Sequence, residues 1–233
     1  MIIALNNKSN LTKEEFLNYQ KDLTNIKSES TLILCPTHLN IGNYNLTNFS
    51  LGAQNVSSFN KGAHTGEISA DQLKSFGVEY CIIGHSERRQ EQRESLQVIR
   101  DKINNLNQEN IIPILCIGET LEERQNNKVE EVLKEEVITA TSNLTDEQKE
   151  RLIVAYEPIW SIGTGLIPTN EEIKETLKFI KKMLPTTKIL YGGSANEKNI
   201  EVLKQCSEID GYLLGGLSLK PLELQTFIDI LEN

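Results

Sequence analysis

No run of apolar residues in the 233-residue chain approaches the roughly 20 that a membrane-spanning helix requires, and the longest, Ile111 to Ile117, contains Pro113. Membrane insertion is therefore not expected. A basic leader is missing too: Met1-Ile2-Ile3-Ala4-Leu5 meets Asn6-Asn7-Lys8 before an apolar core could form, so no secretory signal is expected and the cytoplasm is the expected compartment. Cysteine is scarce. The four residues, Cys35, Cys81, Cys116 and Cys206, form no C-x-x-C pair, and the first three fall inside β-rich apolar runs, which points to buried, reduced thiols and away from disulfides or a metal site. Positive charge is in deficit, with 24 Lys and Arg against 33 Asp and Glu and a formal charge of -9. Such a surface repels nucleic acid and anionic lipid, and an anionic ligand would need a local site. No Pro/Gly/Ser linker or low-complexity tract divides the chain, so residues 1–233 are read as one domain.

What is present is an alternation. Short apolar runs occur at Ile2 to Leu5, Thr31 to Cys35, Leu51 to Gln54, Glu79 to Ile83, Ile111 to Ile117, Leu152 to Tyr156, Lys188 to Tyr191 and Gly211 to Leu214. Most are continuous instead of alternating apolar and polar, as parallel strands buried on both faces should be. Between them lie helical signals. Thr12-x-x-Glu15, Ser69-x-x-Gln72, Thr145-x-x-Gln148 and Thr169-x-x-Glu172 have the form of capping boxes, and Ile173, Leu177, Ile180 and Leu184 follow at helical spacing. The second and third gaps are short of helical pattern. Eight βα units in a chain of this length predict an α/β fold, a (β/α)8 barrel. The competing doubly wound sheet needs fewer strands and usually a glycine-rich turn after the first, where this chain has Asn6-Asn7-Lys8-Ser9.

In such a barrel the active site is built where strands end, so the residues after each run carry the chemistry. Asn6 and Lys8 follow strand one, Gly84-His85-Ser86-Glu87 strand four, Glu157-Pro158 strand six, Gly192-Gly193-Ser194 strand seven and Gly215-Gly216 strand eight. Glu157 stands where apolar core gives way to the mouth, partly desolvated, a setting suited to a general base. His85 precedes a helix start near Ser86, where amides and the helix dipole disfavour an added positive charge, so a neutral ring is expected, able to exchange protons with a substrate oxygen. His38 and His64 lack that setting and are read as loop or interface residues. Lys8 is the cation after strand one, with Glu87 as its candidate partner. The two glycine pairs free backbone amides to approach a phosphate, and Trp160-Ser161-Ile162-Gly163-Thr164-Gly165 reads as a lid.

Together these strings resemble the triosephosphate isomerase family: Asn6-x-Lys8, Gly62-Ala63-His64-Thr65-Gly66-Glu67-Ile68-Ser69, Gly84-His85-Ser86-Glu87-Arg88-Arg89, Cys116-Ile117-Gly118-Glu119, Tyr156-Glu157-Pro158-Ile159-Trp160 continuing to Gly165, Tyr191-Gly192-Gly193-Ser194, and Leu214-Gly215-Gly216-Leu217-Ser218-Leu219-Lys220-Pro221. They span the chain in order. The resemblance implies interconversion of dihydroxyacetone phosphate and D-glyceraldehyde 3-phosphate through an enediolate, with no cofactor or metal, on a small phosphorylated triose. It implies Glu157 as base and His85 as electrophile, a pairing that is a standard illustration of how one fold tunes acid and base groups. Lys8 and Asn6 would stabilise negative charge, Glu87 would order Lys8, and Asn6, Asn7, Lys8, Gly163, Ser194, Gly215 and Gly216 would contact substrate.

The segment carrying His64, Thr65, Gly66 and Glu67 resembles the loop by which each subunit of that family reaches its neighbour, which implies a homodimer. His64 stands for the usual aromatic, implying a weaker or acid-sensitive interface. Asn7 and Ser9 stand for Trp and Met, and Leu166-Ile167-Pro168 for Lys-Thr-Ala behind the lid. The chain is short for the family, implying trimmed elements near residues 37 to 50. Two other chemistries share a barrel with a phosphate site. An aldolase would need a Schiff-base lysine where strand six offers Glu157, and a sugar-phosphate sensor would not need both His85 and Glu157.

Overall fold

The computed structural model describes residues 1–164 and 166–233. Eight strands, β1 (Ile2–Asn6), β2 (Thr31–Cys35), β3 (Ser50–Ala53), β4 (Tyr80–Ile83), β5 (Ile112–Ile117), β6 (Ile153–Tyr156), β7 (Lys188–Tyr191) and β8 (Gly211–Leu214), pair in sequence order and close into a barrel. Every pair is parallel, and closure is made by β1 against β8, with Ile2 opposite Gly211 and Leu5 opposite Leu214. The expected strands match within one residue at each end, and the third is shifted back by one.

Continuous apolar strands follow from two cores. Ala4, Ile33, Cys35, Ile82, Ile114, Cys116, Ile153, Ala155, Leu190 and Leu213 fill the barrel interior. The alternate residues, among them Ile3, Leu5, Ile83, Leu115, Val154 and Tyr156, pack outward against the helices. Because successive side chains point to opposite faces, both sets must be apolar. All four cysteines are buried and free.

The helices begin where the capping signals stand. In Lys13–Leu23, Asp146–Arg151 and Asn170–Met183 the hydroxyl of Thr12, Thr145 or Thr169 accepts the third residue's amide, and that residue's side chain accepts the Thr N–H in return. At Ala70–Ser75 the Ser69 N–H donates to Gln72 Oε1 at 3.0 Å. A fifth box, Thr120 with Glu123, starts Leu121–Gln125; its Thr-x-x-Glu form is the same local signal as the other four. The β2–β3 connection carries only the four-residue helix His38–Ile41. No helix among the described residues is long and apolar enough to cross a membrane.

Candidate active site

The interior alternation positions the site. Continuing the inward row of each strand by two residues leads from Ala4 to Asn6, from Ala155 to Glu157, from Leu190 to Gly192 and from Leu213 to Gly215. These four meet at the C-terminal mouth, where they line a cavity of about 350 Å³ together with Lys8, His85, Gly163, Ser194 and Gly216. Glu157 is 2% exposed and His85 6% exposed. Strand β5 holds Glu157, just past the end of β6, by accepting its N–H at Ile117 O, 2.7 Å.

His85 caps the helix Ser86–Gln92, and its Nδ1 accepts the Glu87 N–H at 3.3 Å. An accepting Nδ1 leaves the ring proton on Nε2, which faces Glu157 Oε1 at 3.2 Å. The other carboxylate oxygen takes the Ser86 N–H at 3.4 Å. A carboxylate and an imidazole N–H thus stand together in the cavity wall. A Cβ at Gly192 would come within 2.8 Å of Glu157 Cγ, so the glycine makes room for that carboxylate side chain.

Lys8 adopts a left-handed backbone, φ 51°, with its N–H on Asn6 Oδ1 at 3.0 Å. That turn sends Nζ across the mouth to Glu87 Oε1 at 2.5 Å, the partner expected from sequence. Gln54 Nε2 braces the loop from below, donating to Lys8 O at 2.8 Å and to Cys35 O at 2.9 Å. Asn7 is placed elsewhere. Its side chain turns away from the cavity, is 1% exposed, and donates to Ser218 Oγ at 3.2 Å, because the odd position after β1 faces the helical layer.

The expected lid and the expected phosphate-binding loop are joined by hydrogen bonds. Ser161, in the turn Ile159–Ser161, accepts the Ser194 N–H at its Oγ, 3.3 Å, and its carbonyl takes the Ser194 hydroxyl at 2.5 Å. The front of the lid is anchored on Glu119, which is fully buried. Its Oε1 accepts Trp160 Nε1 at 3.0 Å and Arg124 Nε at 2.8 Å, and Arg124 lies 5.6 Å from the Trp160 ring centre. Gly163 has φ 69° at the lid tip; Gly165, the last residue of the expected lid, lies outside the described residues.

His64, Thr65, Gly66 and Glu67 form an exposed loop in which His64 stacks flat on Phe59, ring centres 4.1 Å apart. Within one chain this loop does not reach the cavity. A second hollow of about 290 Å³ adjoins the first, sharing Asn6, Lys8 and His85 and bounded by His38, Gln54 and Arg88. Among the described residues no three His, Cys, Asp or Glu side chains converge to hold a metal ion.

Sequence reading gave no role to Gln54, Glu119, Arg124, Lys220 or Glu223. The last two line the outer rim of the cavity, with Lys220 Nζ on Glu223 Oε2 at 2.8 Å. Gln54 ends an expected strand and could have been reached by the rule that found Glu157. Arg124 had no local signal, since only the tertiary fold brings it to Glu119.

A family model described as triosephosphate isomerase matches residues 1–233. Among curated proteins the chain is 40% identical over 248 residues to a triosephosphate isomerase of Dictyoglomus turgidum, covering 100% of this chain and 98% of the relative. It is 35% identical over 243 residues to one from Clostridium beijerinckii, covering 98% of each, and 38% identical to one from Clostridium tetani, covering 98% of this chain and 95% of the relative.

Proposed function

The chain belongs to the triosephosphate isomerase family and interconverts dihydroxyacetone phosphate and D-glyceraldehyde 3-phosphate, and from that premise we propose how its residues divide the work. Glu157 removes the proton from the carbon beside the carbonyl and returns it to the neighbouring carbon. The Nε2–H of His85 donates to the substrate oxygen, and the ring then relays a proton between the two oxygens of the enediolate. Lys8, steadied by Glu87, and Asn6 place positive potential and a donor where that negative charge develops. The phosphate sits at Gly163, Ser194, Gly215 and Gly216, held by amides and not by a basic surface, as the chain's net charge of -9 requires. Closing the lid excludes water, which strengthens these contacts and shields an enediolate that would otherwise expel phosphate.

The observation that carries this reading is the 3.2 Å approach of Glu157 Oε1 to His85 Nε2 inside a cavity that also contains Lys8 and both glycine pairs. A coupled assay of triose phosphate interconversion tests it. Glu157→Gln is expected to lose at least ~100-fold in turnover while a phosphate-bearing inhibitor still binds. Near-normal turnover would refute the assignment of the base.

We also infer that the chain, acting as one domain over residues 1–233, works as a homodimer in the cytoplasm. Support for the dimer comes from the exposed Thr65 loop and from the hollow beside Asn6, Lys8 and His85, into which such a loop from a second copy would fit. His64 belongs to that exposed loop, where its ring stacks on Phe59.

A further inference from the structure

Behind the cavity wall, one buried ion pair reaches towards both members of the catalytic pair. Arg89, in the helix Ser86–Gln92, meets Glu136, in the helix Val129–Thr141, with side chains 16% and 10% exposed. The guanidinium divides its donors. Nη1 donates to Glu136 Oε1, Nη2 to Cys116 O, and Nε to Gly84 O at 2.7 Å, the carbonyl immediately before His85. Glu136 Oε2 accepts the Gly118 N–H at 2.9 Å. Gly118 in turn lies flat against the base: a Cβ there would fall 1.7 Å from Glu157 O and 3.3 Å from its Cα. One track therefore runs from Arg89 through Gly84 to His85, and the other from Glu136 through Gly118 to Glu157. Neither residue lines the cavity.

A buried ion pair is a poor stabiliser, because desolvating two charges offsets much of their attraction. What it supplies here is geometry, since a planar fork with three acceptors leaves the strand ends of β4 and β5 little freedom. We propose that Arg89 and Glu136 are positioning residues for the isomerisation, fixing where His85 and Glu157 stand relative to each other. The proposal rests on the roles given to those two residues above. The groups facing Glu136 are Arg89 from one helix, the Gly118 amide from the loop after β5 and Glu123 from the helix Leu121–Gln125. Burial pushes its carboxyl up to about 7, against the pull of Arg89 and Gly118, with Glu123 adding to the rise. Proton uptake near neutrality therefore removes the charged partner of Arg89 and loosens the clamp.

The test compares wild type, Glu136→Gln and Glu136→Asp between about pH 6 and about pH 8, reading kcat and KM for dihydroxyacetone phosphate beside the unfolding midpoint. The glutamine keeps the shape but offers one carbonyl where the carboxylate serves two donors, so it imitates the protonated state. At pH 8 its kcat is expected to fall about 10-fold with KM nearly unchanged, since small misplacements of reacting groups cost that much or more. The ratio of wild-type to Gln kcat should shrink towards pH 6, and the substrate's own phosphate, which titrates near 6 in both, cancels from it. Glu136→Asp, which keeps the charge, should recover part of the loss and restore the pH dependence.

A purely structural residue would move activity and stability together. Here wild-type kcat rises through neutrality while the stability contributed by Glu136 declines. A ratio near 1 at every pH, or a change confined to KM, overturns the proposal. Should Glu136→Gln not fold, a Glu136→Asp profile whose kcat follows its unfolding midpoint overturns it equally. Near-normal turnover of Glu157→Gln would instead remove the role assignment beneath it.

Discussion

At the scale of single residues, what decides the chemistry is which groups share the mouth and what holds each there. Lys8 has the tightest constraint: a left-handed backbone, an Asn6 side chain on its amide, Gln54 on its carbonyl and Glu87 on its ammonium. Lys8→Met is expected to lower kcat/KM by about 100-fold or more, the effect of removing one preorganised contact to developing negative charge. Glu87→Gln leaves the charge in place and should cost less, chiefly through a looser Lys8. Steady-state kinetics decide between them, and equal small losses would show that Lys8 does not meet the substrate. Of these constraints only the Glu87 partner was legible, because polar residues directly after apolar runs collect at one mouth of a parallel barrel. Asn7 was not. Adjacent positions after a strand face opposite sides, and that parity is visible only once the interior row from Ala4 to Asn6 is known.

At the scale of elements, strands were readable to within one residue because burial on both faces makes them continuous apolar runs, and four helix starts were readable because capping is local chemistry. Elements with no buried face, such as Leu121–Gln125, gave no period to read. The lid combines both kinds. Its front is tied to Glu119 through Trp160, and Ser161 Oγ accepts the Ser194 N–H while its proton goes to Leu166 O at 2.5 Å. Behind it Pro168, buried, has a fixed φ and restricts Ile167. Pro168→Ala is expected to speed lid exchange, read by relaxation dispersion at the Trp160 indole. An unchanged exchange rate would show that the rear of the lid is not what limits its motion.

At the scale of the molecule, closure of the barrel follows from the pairing of β1 with β8, which no local segment announces; the sequence supported it only by the number of alternating units. The fold also creates titration behaviour that composition hides. Glu136 has a folded value of about 7 against an ordinary 4.5, so the folded chain holds this proton more tightly than the unfolded one. Its contribution to stability is therefore fully present below about pH 4.5 and is lost as pH rises through about 7, a change on the order of 3 kcal/mol. Denaturant unfolding at a series of pH values should show wild type losing stability relative to Glu136→Gln over that window. A constant difference would mean that the carboxyl is not held in its protonated form by the fold.

The central claim, that Glu157 carries the carbon-bound proton, is tested most directly by running the isomerisation in deuterium oxide. A carboxylate that holds the proton in transit can exchange it with solvent, so wild type should place deuterium on the carbon that receives it, and Glu157→Gln should lose that incorporation along with turnover. Deuterium entering at the wild-type rate in Glu157→Gln would contradict the account.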